Sequence, residues 1–309
     1  MTLLAADVGG TKTLLRCVEN DGCPIVEARY DSNAYDTFDE LVSEFTARLA
    51  APPDAACFAV AGPVHDGEAD VTNVGWHLTE RALERAHSIR SVMLVNDFHA
   101  IAFAVPFIDA TDRLRLNEAA AEAGAPIAVL GAGTGLGQAF VVFHDGVPHV
   151  LSSEGGHGDF APQDEEQTRL FLQLHERFGH VSWERLLSGS GLSDIFAFLG
   201  GEPIDAAEVA ELADRGDARA VRAFEVFVDI YGAEAGNMAL RLLARGGVCI
   251  AGGIAAKNAT RFTDGRFRRA FIRKGRFEQL VASIPVDLIL NEEAGLIGAV
   301  ELARRRLAR

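Results

Sequence analysis

Apolar positions along the chain fall in short runs that stop at glycine. Leu3–Val8 is interrupted only by Asp7 and ends on Gly9-Gly10-Thr11. Such runs, bounded by turn residues, predict buried strands. Thr13–Glu19 predicts a second strand, Asn20-Asp21-Gly22 a hairpin turn, and Ile25–Tyr30 the returning strand. Phe38, Leu41, Val42, Phe45 and Leu49 share one face at helical spacing, which predicts a helix over 38–49. Ala56–Ala61 and Val92–Val95 predict two more buried strands. The second stops at Asn96-Asp97, and a new apolar stretch begins at once. Asp97 therefore has two readings: a cap that starts a helix, or a carboxylate placed for chemistry. Strands alternating with helices predict an α/β sheet.

The pattern then recurs. Ile127–Leu130 predicts a strand, Gly131–Gly137 a glycine-rich turn, Ala139–Phe143 a strand, Asp145-Gly146 a hairpin turn and Val147–Leu151 the return. Gly22 lies eleven residues after Thr11, and Gly146 eleven after Gly135. The chain thus carries two copies of one unit: strand, glycine turn, strand, tight turn, strand. Two such units facing each other would put a glycine turn on each wall of a cleft. A helix-rich region follows, with amphipathic stretches at Glu165–Phe178, Ala218–Leu243 and Gly295–Leu307. Val248–Ala251 and Pro285–Leu290 predict late strands. No low-complexity linker separates the halves, and Pro106–Thr111 is the best hinge candidate. The expected domains are residues 1–107 plus 297–309, and 108–296.

Charge narrows the partners. The net charge of −15 repels nucleic acid and anionic lipid, so neither is expected to bind. The basic stretch Arg266–Phe277 is expected to be a helix face with paired charges. Cys17, Cys23, Cys57 and Cys249 are scattered with no CxxC pair, which favours reduced thiols in a cytoplasm over a disulfide or zinc framework. The N-terminus lacks a signal-peptide pattern, and no apolar run approaches the ~20 residues of a membrane span.

Three glycine turns follow apolar strands: Gly9-Gly10-Thr11, Gly131–Gly137 around Thr134, and Gly252-Gly253. Glycine lets backbone N–H groups approach phosphate oxygens closely, and successive N–H groups form an anion nest. The dinucleotide fingerprint and the P-loop are both absent. Asp7 beside such turns is costly without a cation, and magnesium, held directly or through water, is the natural one. A polar cluster, Ser152–Pro162, offers Glu154, His157 and Asp159 in a glycine-rich loop, and Glu184 is expected at a helix start. Carboxylates accept paired hydrogen bonds from neighbouring hydroxyls, so Asp97, Glu154 and Glu184 with Asn96 suit a sugar. His175 and His180 are five apart, which turns them off one helix face and argues against a zinc pair.

The motifs DVGGT (7–11), AGPV (61–64), VNDF (95–98), GAGTGLG (131–137), EGGHGDFAP (154–162), ERLLSG (184–189), AGGI (251–254) and KGRF (274–277) occur in this order. On them the chain resembles, over nearly its whole length, the bacterial glucokinases of the non-ROK type. The ROK sugar kinases carry a cysteine-rich zinc motif that this chain lacks. The resemblance implies two actin-like (ribonuclease H-like) α/β domains, with ATP and glucose in the interdomain cleft. It implies Asp97 as catalytic base, with Asn96, Glu154, His157 and Glu184 as glucose ligands. It implies nucleotide contacts at Asp7, Val8, Gly9, Gly10 and Thr11, at Gly133, Thr134 and Gly135, and at Gly252 and Gly253. Magnesium would be held at Asp7 through water. The implied activity is phosphorylation of glucose at its 6-hydroxyl, in a cytoplasmic homodimer. Lys12 departs from the family, where Asn often follows the GGT. Other readings are a kinase for another hexose or amino sugar, a non-catalytic sugar sensor, and an actin-like or chaperone ATPase. The sensor would need an added DNA-binding segment, and the ATPase has no use for the Asn96-Asp97, Glu154 and Glu184 set.

Overall fold

The computed structural model describes residues 1–307 and divides into two compact units. The first comprises Met1–Ile108 and the chain from Glu293 onward; the second is Asp109–Glu292. The C-terminal helix, Ala294–Leu307, belongs whole to the first unit, so the chain returns at Glu293 rather than at 297. Residues 308 and 309 of the expected small domain lie outside the described residues.

In the first unit, β1 (Thr2–Val8), β2 (Lys12–Glu19) and β3 (Pro24–Asp31) form an antiparallel meander. Helix α1 (Phe38–Thr46) follows, and it buries Phe38, Leu41, Val42 and Phe45 as the spacing predicts. It stops three residues short of Leu49, which still packs on the core from the turn beyond. Strand β4 (Ala55–Val60) joins parallel to β1 and is buried throughout. A small sheet of β5 (Val64–His65), β6 (Glu68–Val71) and β7 (Trp76–Thr79) precedes α2 (Glu80–His87). Strand β8 (Ser91–Asn96) then adds parallel to β4 and leads into α3 (Asp97–Ala104). The main sheet reads β3-β2-β1-β4-β8. The C-terminal helix packs on β1, β4 and α3, and a side chain at Gly298 would strike the carbonyl of Ala100. The open edge of β8 is capped by side chains of α2: Glu84 accepts from Val92 N–H (3.0 Å) and Glu80 from Leu94 N–H (2.9 Å).

The second unit opens with β9 (Arg113–Arg115), then β10 (Ile127–Ala132), β11 (Leu136–His144) and β12 (Val147–Ser153) as a second meander. Helices α4 (Glu165–Phe178), α5 (Gly189–Phe198), α6 (Ala206–Asp214) and α7 (Ala218–Arg241) follow. Strand β13 (Gly247–Ala251), helices α8 (Gly253–Lys257), α9 (Arg266–Ile272) and α10 (Glu278–Ala282), and strand β14 (Val286–Ile289) complete it. The sheet reads β12-β11-β10-β13-β14-β9. Its first five strands repeat the order and direction of the first unit, so the repeat spans five strands rather than the three visible in sequence. The core forms around α7, most of whose residues are buried. Side chains at Gly232 and Gly236 would strike the carbonyls of Phe267 and Phe271, so α7 and α9 meet backbone to backbone. Arg266 of the basic stretch pairs with Asp229 (2.9 Å) and Glu225 (3.3 Å). Among the described residues, no helix is long and apolar enough to cross a membrane.

Candidate active site

In the first unit the polar groups gather where strands end. The Gly9-Gly10 turn closes with Gly9 N–H on the carbonyl of Lys12 (3.0 Å). A side chain at Gly9 would crowd that carbonyl at 2.8 Å, and one at Gly10 would meet Asn73 at 2.6 Å. The turn is braced from behind by Ser32, whose hydroxyl donates to the Gly9 carbonyl (2.7 Å) and lies 3.0 Å from Thr13 Oγ1. Sequence reasoning missed Ser32, since a serine after a strand carries no signal of its partner.

Asp7 is the penultimate residue of β1, half-buried, with the N-terminal turn of the C-terminal helix close by at Gly295. Burial, and then the negative charge of Asp97, push its carboxyl up to about 6. A carboxylate whose proton affinity is raised by burial and by a neighbouring acid marks a place where a cation is favourable. Among the described residues no group of three or more potential metal ligands exists. A single carboxylate fits magnesium, which keeps most of its waters and takes the rest of its ligands from phosphates.

Asn96, not Asp97, is the residue that caps α3. Its Oδ1 accepts from Phe98 N–H (3.0 Å) and His99 N–H (3.2 Å). Its amide donates to the Gly62 carbonyl (3.0 Å) and to Asp97 Oδ1 (2.9 Å). Asp97 is the first helical residue, and its Oδ1 also takes Phe98 N–H at 2.7 Å. Both bonds fall on one oxygen, so the carboxylate is oriented by its neighbour while the helix is capped without it. Burial pushes the Asp97 carboxyl upward, against the lowering effect of the Phe98 N–H and the Asn96 amide.

In the second unit the turn after β10 closes with Gly133 N–H on the Gly135 carbonyl (2.8 Å). Glu184 Oε2 accepts the N–H of Leu136 at 2.9 Å, directly after that turn, and would crowd any side chain at Gly135. Glu184 lies in a turn before α5 and not at a helix start as expected, because Ser188 is the cap of that helix. What brings it here is a backbone zipper: Trp183 N–H on the Gly158 carbonyl (3.1 Å) and Glu184 N–H on the Gly156 carbonyl (2.9 Å). His157 consequently lies between two acids, with Nε2 3.7 Å from Glu154 and Nδ1 3.8 Å from Glu184. Neither is a hydrogen bond, and Glu154 is 92% exposed, so the cluster presents its polar atoms outward. Asp159 is engaged by His180 (2.9 Å) and stands apart from this group.

Gly252, at φ +88°, directly precedes the short helix α8 as its N-cap, and a side chain there would meet the Ala132 carbonyl at 2.6 Å. The 133–135 and 252–253 turns are thus neighbours. The hydroxyl of Tyr231, fully buried on α7, joins the strands that carry them. It accepts from Ala132 N–H (2.9 Å) and donates to the Ala251 carbonyl (3.4 Å). Nothing in the sequence marks this tyrosine apart from the helical spacing of a core residue.

A glucokinase family model matches residues 4–306. The glucokinase of Nostoc sp. is 38% identical, over 98% of this chain and 99% of its own. The crystal structure of a glucokinase from an Antarctic psychrotroph superposes with a TM-score of 0.90 at 30% identity, covering 98% of this chain and 99% of that one. The glucokinase from Balamuthia mandrillaris, solved in complex with glucose, has a TM-score of 0.82 at 22% identity, covering 98% and 93%, and shares the fold. That fold is the actin-like α/β architecture of sugar kinases. The chain belongs to the glucokinase family.

Proposed function

We propose that the protein transfers the γ-phosphoryl group of ATP to the 6-hydroxyl of glucose. The observation that carries this reading is the division of labour at the start of α3. Asn96 caps the helix, and Asp97 is held by one oxygen with its proton affinity raised. Phosphoryl transfer is mainly positioning and charge stabilisation. Asp97 accepts the proton of the attacking hydroxyl, a role that contributes ~10²–10⁴-fold. Asn96, Glu154, His157 and Glu184 hold the sugar hydroxyls. Backbone N–H groups of the turns at Val8–Thr11, Gly133–Gly135 and Gly252-Gly253 hold the nucleotide phosphates. Asp7 would hold magnesium, which when bound would neutralise phosphate charge. Family membership and the outward-facing acid–histidine cluster support the sugar as acceptor.

A coupled assay of ADP release with magnesium and ATP tests the reading. Release that depends on glucose, and that is faster with glucose than with mannose, fructose or glucosamine, is expected. ADP release indifferent to sugar would sink it. The same proposal takes the protein to act as a cytoplasmic homodimer; sedimentation at the monomer mass would count against the dimer.

A further inference from the structure

Glu234 is a carboxylate side chain with no solvent exposure, and it is ion-paired with Arg241. A buried carboxylate is costly unless every lone pair is met, so its partners reveal its use. It accepts from Gln138 Nε2 (2.9 Å), Asn237 Nδ2 (2.9 Å) and Arg241 Nη1 (2.5 Å). Lys274 Nζ donates to Asn237 Oδ1 and to the Ala233 carbonyl, both at 2.7 Å. An ionised carboxylate only accepts, and an ammonium only donates. Between them they leave each amide one orientation: Asn237 and Gln138 must turn their nitrogens toward Glu234.

Gln138 is buried on β11, opposite Ser153 of β12. With its nitrogen committed, its Oε1 is turned to Gly155, where any side chain would strike it. Ser153 Oγ takes the Gly155 N–H (3.0 Å), and a side chain at Gly156 would strike the Leu136 carbonyl of the same strand. The turn that carries Glu154 and His157 therefore rests directly on β11, and the Gln138 amide is the part of that floor whose direction is set by Glu234 at its nitrogen (2.9 Å), with a longer bond from Arg241 Nη1 at its oxygen (3.5 Å).

We propose that Glu234, acting through Gln138, positions the Glu154–His157 turn and so sets the grip of the protein on its sugar. Glu234 is a positioning residue and touches no substrate. The inference rests on the reading of that turn as the sugar-holding one.

The test compares wild type with Glu234→Gln and Gln138→Met. Glu234→Gln can donate as well as accept, so it frees the Gln138 amide to reverse. Gln138→Met removes the amide and leaves Glu234 with Asn237 and Arg241. In both, KM for glucose is expected to rise about tenfold, as displaced contacts do, with KM for ATP changed less than about twofold. Amide exchange over residues 153–158 is expected to quicken, with the rest of the chain unaltered. Both KM values moving together, neither moving, or unchanged exchange at 153–158 would overturn the inference. If Glu234→Gln does not fold, Gln138→Met decides alone. Wild-type protein without glucose-dependent turnover would remove the functional reading itself, which is a separate outcome from active wild type with indifferent variants.

Discussion

Replacing Asp97 with Asn separates chemistry from architecture at one atom. In the structure the Asn96 side chain already satisfies the first amides of α3, accepting from both Phe98 and His99. Asn at 97 keeps a side-chain oxygen for Phe98 N–H and for the Asn96 amide, so these two bonds survive. The substitution gives up a charge at the first helical position, worth ~0.3–1 kcal/mol through the helix dipole. It also removes the cost of burying an ionised group, which acts in the opposite direction. The net effect on stability should stay within about 1 kcal/mol, or a shift in Tm of under about 4 °C. Turnover should fall by ~10²–10⁴, since an amide cannot take the hydroxyl proton. Asn96→Ala is the complementary variant: it loses the cap, at ~1–2 kcal/mol, and frees the Asp97 carboxylate from its tether. Thermal melts and the coupled ADP-release assay on the same preparations read both quantities. An Asp97→Asn protein that keeps kcat within tenfold of wild type, or that melts many degrees lower, would refute the division of labour.

Asp7 offers a pH signature. Its carboxyl is raised from the ordinary 3.8 to about 6, so folding takes up a proton between those values. That stabilisation is complete below about 4 and is lost as pH rises through about 6; Asp7→Asn should flatten this part of the Tm profile, and an unchanged slope would assign it to another group. Glu184→Ala should raise KM for both ATP and glucose, because Glu184 holds the Leu136 N–H beside the glycine turn as well as facing His157. Exposed Glu154→Ala should raise KM for glucose only, and steady-state kinetics with each substrate varied would show whether the two variants differ in this way. Tyr231→Phe leaves the Ala132 N–H buried without its partner, at ~1–3 kcal/mol, and should loosen two adjoining turns together. A rise in KM for ATP, larger than that for glucose, is the expected reading; wild-type values for both substrates would dismiss the hydroxyl as a brace.

The strands and the repeat were legible because their signals are local. Apolar runs ending in glycine identify β1, β4, β10 and β13, and hairpin turns fix the two meanders. The start of α5 was not legible: Gly189, Ser190 and Gly191 look like a loop, and the helix forms because Ser188 caps it and tertiary packing buries Leu192, Ile195 and Phe196. The three-stranded β5–β7 sheet was hidden for a related reason, since its strands are two to four residues long and are separated by turn formers at Asp66-Gly67 and Asn73–Gly75. At the site, Asp97 stood out as an acid at a strand end, yet adjacency could not say which of two neighbouring residues was the cap. Ser32, Tyr231 and Glu234 were invisible because each acts on backbone or side chains far away in sequence; Tyr231 reaches Ala132 across 99 positions. Sequence patterns report on which face a residue lies, not on which distant amide it meets.

The two sheets repeat one order, and so each inherits the same vulnerable outer strand. They protect it differently. In the second unit β9 lies antiparallel on β14, so the shield is made of backbone and accepts many side chains. In the first unit the shield of β8 is two carboxylates, Glu80 and Glu84, and depends on both codons. Mutational tolerance should therefore be lopsided between duplicated halves of one architecture: permissive along β9, and narrow at two positions of α2 that lie outside the proposed site. Substitutions there would be counted as loss of function in a growth screen, although their first effect would be a strand open to pairing with another chain.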